Sequence, residues 1–335
     1  MMLRRCLILL GLMLTLLGGQ ARADSCAVTP SDFVFPSVSS ISSTDVFASA
    51  TFKVTCTWTD FLGSLLTPNV TVCLVLGAGS NSSTTVTAPR QLGNGAVRVN
   101  YNIYTDATYA AGKIWGGWAG TSTASTPIVF QMVKSGGVGA LSQNIPLYAK
   151  LTADSTLSST AVGPTDLQVT SDFGTGSAVL QYQFSLTGVL GCLVPQTVVM
   201  PFQVRSTVIN DCNINIGNLV FPDSKLLTGA VTSTASLSIR CSQNTAYRIV
   251  LSAGTNGASA TARLMKNIGG PETISYQLSD TLNGSNWGDG TGGTTVVTGT
   301  GDGTTVTKTL YGRVPVQSTP SPGDYKDTIT ATVQF

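Results

Sequence analysis

The cysteines are the residues of this 335-residue chain best placed to do chemistry, and their spacing says which kind. Cys26 and Cys56 enclose almost the same length of chain as Cys212 and Cys241, and the two intervals share text. Phe33-Val34-Phe35-Pro36 lies in the first, and Asn218-Leu219-Val220-Phe221-Pro222 in the second. Equal spacing around equal text pairs Cys26 with Cys56 and Cys212 with Cys241, which leaves Cys73 and Cys192 to pair with each other. Closing a loop of about 30 residues stabilises a fold by roughly 3–4 kcal/mol in the chain-entropy account. A metal site is not supported, because there is no Cys-x-x-Cys spacing and no histidine anywhere. The seventh cysteine, Cys6, belongs to a segment of different character. Arg4 and Arg5, an apolar run over 6–17 and Ala21-Arg22-Ala23 read as a secretory signal peptide over 1–23, cleaved before Asp24. An exported chain with six remaining cysteines fits an oxidising compartment and disulfides.

Other chemistry is thin. Without histidine the chain lacks the commonest general base and every Ser-His or Cys-His nucleophile pair. No pair of carboxylates stands out for acid–base work, so no enzyme activity and no cofactor are expected. Gly288-Asp289-Gly290-Thr291-Gly292-Gly293 matches the dinucleotide fingerprint, but a strand-like run follows it rather than a helix, so the match is set aside. Asp289 and Asp302 stand among glycines without further acidic ligands and read as turn residues rather than calcium ligands. A formal net charge of +2 with only 10% charged residues excludes nucleic acid as a partner. With 42% apolar residues the chain is not disordered, and no later stretch is long and apolar enough for a membrane helix.

The elements that must position these residues come in two copies. Val75-Leu76-Gly77-Ala78-Gly79 answers Val250-Leu251-Ser252-Ala253-Gly254. Tyr101-Asn102-Ile103 answers Tyr276-Gln277-Leu278, and Leu147-Tyr148-Ala149-Lys150-Leu151 answers Leu310-Tyr311-Gly312-Arg313-Val314. The copies occupy about 24–209 and 210–335. Short runs of Val, Ile, Thr and Tyr alternate with polar residues and are punctuated by Gly, Asn, Ser and Pro, the pattern of an all-β chain. Two tandem immunoglobulin-like β-sandwiches are expected, each with one cysteine pair stapling an early strand to the next. The final run places Ile329, Ala331, Val333 and Phe335 on one face of a strand. After the equivalent strand of the first copy the chain continues, and Val198, Met200, Phe202, Val204 and Val208 take every second position with Ser206 as the gap.

The repeat resembles the spore coat protein U family, which includes the pilins of archaic, Csu-type chaperone–usher pili. The residues that carry the resemblance are Trp287-Gly288-Asp289-Gly290-Thr291-Gly292-Gly293, Leu310-Tyr311-Gly312-Arg313-Val314-Pro315 and Gly323-Asp324-Tyr325-Lys326-Asp327-Thr328 with the strand that ends the chain. The first copy departs from the pattern, since Trp115-Gly116-Gly117-Trp118 lacks the aspartate. The resemblance implies a sandwich missing its last strand, with the gap filled by an N-terminal extension of a neighbouring subunit after a periplasmic chaperone has held it. On that basis the segment 198–209 completes the first domain in cis. The second domain stays incomplete and accepts a donor strand along Ile329, Ala331, Val333 and Phe335. A subunit that accepts but does not donate belongs at the end of a fibre. The expectation is a two-domain tip adhesin, exported through the periplasm to the cell surface at the pilus tip, attaching cells to hydrophobic surfaces and promoting biofilm formation. Its partners would be the periplasmic chaperone, the outer-membrane usher, the adjacent pilin and an abiotic or host surface. The alternatives are a secreted spore-coat-like or matrix protein with no pilus role, and a carboxylate-based hydrolase.

Three intervals are longer in the first copy than in the second, and inserted chain goes into loops, where function sits. The first insertion holds Phe61, Leu62, Leu65 and Leu66, an apolar cluster that either projects as a finger or folds back to cap the sandwich. The second holds Val138 and Leu141. Trp115 has a counterpart in Trp287 and belongs to the core, whereas Trp118 has none and is a contact candidate. The third, around 157–165, is mostly small and polar.

Overall fold

The computed structural model describes residues 24–59, 61–82, 86, 88–117, 125–163, 165–174, 176–188, 191 and 196–335, with Leu62 and Gly63 through their backbone only. The expected signal peptide over 1–23, Trp118 and Cys192 lie outside the described residues.

The first sandwich is built from β1 (Ser25–Thr29), β2 (Phe33–Val34), β3 (Val38–Ser39), β4 (Val46–Trp58), β5 (Asn69–Leu76), β6 (Arg90–Asn94), β7 (Val97–Tyr104), β8 (Ile128–Val133), β9 (Gly139–Leu151), β10 (Leu167–Asp172), β11 (Ala178–Ser185), β12 (Gln196–Val199) and β13 (Gln203–Ile209). One sheet runs β1-β4-β9-β7-β6-β10-β13-β2, with β3 also on β13, and the other runs β12-β11-β5-β8. The second sandwich uses β14 (Cys212–Ile216), β15 (Val231–Cys241), β16 (Ala246–Leu251), β17 (Arg263–Asn267), β18 (Thr273–Ser279), β19 (Val297–Thr300), β20 (Thr305–Val314), β21 (Tyr325–Lys326) and β22 (Ala331–Gln334). Its sheets run β14-β15-β20-β18-β17-β21 and β19-β16-β22. Strands β4 and β15 show why: apolar residues at every second position bury one face, so Phe52, Val54 and Cys56 answer Leu237, Ile239 and Cys241. Among the described residues the two α-helices are short, α1 (Phe61–Leu66) and α2 (Ser155–Ser158), the latter capped by Asp154, whose carboxylate accepts the Thr156 amide at 2.8 Å.

The expected pairings Cys26–Cys56 and Cys212–Cys241 are present, each between residues directly opposite in the first two long strands of its sandwich. Cys73 is also disulfide-bonded.

Each core holds an arginine–tryptophan clamp that the sequence reading missed. Arg90 is fully buried and donates to Gly77 O, Asn102 Oδ1 and Trp115 O at 2.9, 3.1 and 2.8 Å. Burial lowers its guanidinium to about 10, with the Tyr101 and Tyr104 phenols partly offsetting. Arg263 repeats the pattern, donating to Ser252 O and Trp287 O. The tryptophan indoles bind Leu74 O and Ile249 O, 2.9 and 2.8 Å away. The clamps join the two sheets through satisfied backbone carbonyls, which is how a buried cation is tolerated. One difference stands out: Asn102 partners Arg90, but Gln277 stands in its place in the second copy, and Arg263 Nη1 has no partner there among the described residues.

Candidate functional site

Strand register gathers three connections at one end of the first sandwich. Trp58 closes β4 opposite Gly139, and Asn69 opens β5 between Val133 and Ser185. The segments after Trp58, Val133 and Ser185 therefore leave the sandwich side by side. Backbone and side-chain bonds fix them to one another: Trp58 Nε1 to Thr67 O at 2.9 Å, Asn69 Nδ2 to Leu186 O at 2.8 Å, and Lys134 N to Pro68 O at 2.9 Å. Trp58 itself is buried and meets the Phe184 ring edge-on at 5.2 Å. The turn after Lys134 needs Gly136 and Gly137, both at φ 75°.

On this pedestal stand exposed apolar side chains. Phe61 is 61% exposed and Leu66 63%, with Leu65, Val133, Val138 and Leu186 also exposed. The first insertion forms the short helix α1, which exposes Phe61, Leu65 and Leu66 and buries Ser64. Of the residues singled out in the sequence, Phe61, Leu65, Leu66 and Val138 lie at this pole. The Leu62 side chain and Trp118 lie outside the described residues, and Gly117 pairs with Leu76 at the other end of β5. Leu141 does not project: β9 begins at Gly139, so Leu141 is a strand residue, partly buried against the core. Val133 and Leu186 were missed, because only the register brings their segments to the insertion.

The opposite pole meets the second sandwich. β13 ends at Ile209 and β14 begins at Cys212. Ser40 Oγ donates to Ser242 Oγ at 2.6 Å, Asn210 Nδ2 donates to Gly163 O at 2.8 Å, and Ala161 bridges to Gln243. The third insertion, around 157–165, thus contributes Ala161 and Gly163 to this junction.

The segment 198–209 divides between both sheets of the first sandwich. β12 pairs with β11, the chain crosses at Met200-Pro201-Phe202, and β13 lies antiparallel to β10 and parallel to β2 and β3. Proline lacks the amide a continuous ladder would use, and the crossing falls there. Met200, Phe202, Val204 and Val208 are buried, and Val198 packs against the core half-buried. The Phe202 ring stacks on Phe173 at 4.6 Å and meets Phe52 edge-on at 5.0 Å.

In the second sandwich, among the described residues, no strand occupies the position of β13. The segment that answers β2 is unpaired coil, and Leu219 and Phe221 are half-buried where Phe33 and Phe35 are buried. Both pack over Gly312, where an added Cβ would stand 2.7 Å from Leu219. On the other side, Ile329, Ala331 and Val333 line the core half-buried, while Phe335 is exposed. The strand read over 327–335 is shorter than expected, β22 covering 331–334, and outside it, just after β21, stands Asp327. Its carboxylate accepts from Tyr276 Oη at 2.6 Å, Thr255 N at 2.9 Å and Thr255 Oγ1 at 2.8 Å. Burial would raise the Asp327 carboxyl, but these donors hold it below the usual range; burial and the adjacent carboxylate push Tyr276 up.

The profile of the Spore Coat Protein U domain matches residues 14–163 and again 198–332. No curated protein sequence matches the chain. Among solved structures, a chain of the CsuC–CsuE chaperone–tip adhesion subunit pre-assembly complex, from archaic chaperone-usher Csu pili of Acinetobacter baumannii, shares the fold. It aligns with TM-score 0.51 and 18% identity over 93% of this chain and 100% of its own. A chain from a chaperone–tip adhesin complex of CFA/I fimbriae aligns at TM-score 0.27 and 13% identity, over 80% of this chain and 85% of its own.

Proposed function

The chain belongs to the Spore Coat Protein U domain family, and on that premise we propose that it is the tip adhesin subunit of a chaperone–usher pilus. The observation that carries this reading is the polarity of the first sandwich. Its far end presents Phe61, Leu65, Leu66, Val133, Val138 and Leu186, and its near end is joined to the second sandwich. An apolar cluster held on a rigid pedestal is the kind of patch that marks a contact surface. The first domain is completed in cis by 198–209, so its donor-like segment is already used. The second domain joins the fibre by accepting a strand from the adjacent pilin, a position a periplasmic chaperone fills before the outer-membrane usher assembles the fibre. The subunit is exported through the periplasm to the pilus tip, attaches cells to hydrophobic surfaces and promotes biofilm formation.

The test replaces Phe61 and Leu65 together by serine. Each exposed apolar side chain contributes roughly 1.5–3 kcal/mol if a surface buries it. Attachment of piliated cells to polystyrene is expected to fall at least tenfold while the purified variant keeps its melting temperature. Unchanged attachment with normal pilus assembly would sink the adhesin reading.

A further inference from the structure

The two sandwiches carry different charges beside the same strand position. In the first, the outward face of the sheet reads Gly93, Thr170, Arg205, Val34 across β6, β10, β13 and β2. Arg205's neighbour on β10, Thr170, is uncharged, and its Nη1 lies 3.8 Å from Asp32 Oδ2; the cation one strand further, Arg98 over Gly93, is held by the Gly95 and Val97 carbonyls. The same line through the second sandwich reads Lys266, Lys326, an unfilled position, then Val220. The equivalence rests on the buried arginines. Arg90 and Arg263 open β6 and β17 with the same carbonyl partners, which puts Gly93 level with Lys266. Thr170 pairs with Gly93 as Lys326 pairs with Lys266, so Lys326 answers Thr170.

Lys266 and Lys326 are thus directly opposite each other on adjacent strands, both exposed. Like charges so placed repel. Among the described residues, neither has a carboxylate within ion-pair distance. Asp324, two residues before Lys326 on the same face, lies beside Ile268. Asn218 stands where Asp32 accompanies Arg205.

We propose that the strand completing the second domain carries an aspartate or glutamate at the position Arg205 holds in the first, where it lies between Lys326 and Val220 and neutralises the lysine pair. This rests on the reading of the second domain as a strand acceptor. The consequence is partner selection. The chain's own segment 196–209 brings Arg205 against two lysines, so the second domain of one copy discriminates against the completing strand of another, and copies of this subunit are kept from joining to each other.

The test titrates the full chain with two labelled peptides, residues 196–209 as they stand and the same peptide with Arg205→Glu. At low ionic strength the glutamate peptide is expected to bind about fivefold tighter, with the difference shrinking in 1 M salt as surface charges are screened. Lys326→Glu in the protein is expected to invert the preference, which also places the effect in the second domain. Equal affinities, a preference for the arginine peptide, or a preference that Lys326→Glu leaves unchanged overturns the charge assignment while the strand position stands. Binding of neither peptide overturns the acceptor reading, and the inference with it.

Discussion

The two sandwiches share one plan and differ in a single segment, 196–209, which supplies β12 to one sheet of the first and β13 to the other. In the first, β13 lies between β10 and β2, and the residues around it are buried: Phe33, Phe35, Phe173 and the strand's own Val204 and Val208. In the second, the corresponding Leu219, Phe221 and Ile329 are half-buried, with the same disulfide, the same buried tryptophan and the same buried arginine around them. The difference separates what defines the fold from what completes it. The clamp holds the two sheets together and the disulfide ties neighbouring strands within one of them; one further segment decides whether the core beneath them is sealed.

That comparison breaks first at Phe202. Its ring fills the space among Phe173, Phe52, Phe33 and Trp115. Phe202→Ala is expected to lower the stability of the first domain by about 3–5 kcal/mol. Leu219→Ala, in the half-open core, should cost the second domain only about 1–2 kcal/mol, since much of that side chain is already in water. Denaturant melts of the full chain, followed for both transitions, check the pair. Equal losses would mean that the second core is as closed as the first.

A smaller effect concerns Asp327, which replaces the buried Ser171 of the first copy. Asp327→Asn should destabilise the second domain by about 1 kcal/mol through weakened bonds to Tyr276 and Thr255. The sign with pH follows from its depressed carboxyl. The contribution is complete above the unfolded-state value of about 3.9 and is lost as pH falls through the lower folded value. The native chain should lose stability in the second transition on acidification below about pH 4, and the Asn variant should lose less. Parallel pH profiles for the two proteins would contradict the assignment.

The smallest effect sharpens the comparison instead. Gln277→Asn restores the residue that satisfies Arg90 Nη1 in the first copy and should stabilise the second domain by about 0.5–1 kcal/mol. A loss of thermal stability would show that the repeat does not superpose closely enough there.

The repeat made much of this legible from residues alone. Cysteines facing each other across two strands keep their spacing in both copies, so the pairing could be read without coordinates. The apolar insertion at Phe61–Leu66 could be read because nothing answers it in the second copy. Its companions Val133 and Leu186 could not, since they come from strand ends and reach the pole only through the register of β5 with β8 and β11. Leu141 was misjudged because β9 starts two residues earlier and turns part of the inserted length into paired strand. The arginine clamps were hidden by a general expectation that arginine lies outside, although both copies carry one at the head of the same strand. Alternation in 198–208 was visible, but the change of sheet at Pro201 requires knowing that β11 and β10 both need a partner.

The short link between the sandwiches has a mechanical consequence. Only Asn210 and Asp211 separate β13 from β14, and Cys212 is tied to Cys241 at once. A pull on the second domain therefore enters the first along the axis of β13. The rungs that hold β13 to β10 run across that axis, so they bear the load together, in shear, rather than opening one after another. The strand that seals the first core is also the one through which tension passes, and the staple at Cys212 keeps the next strand from peeling away before that load is shared.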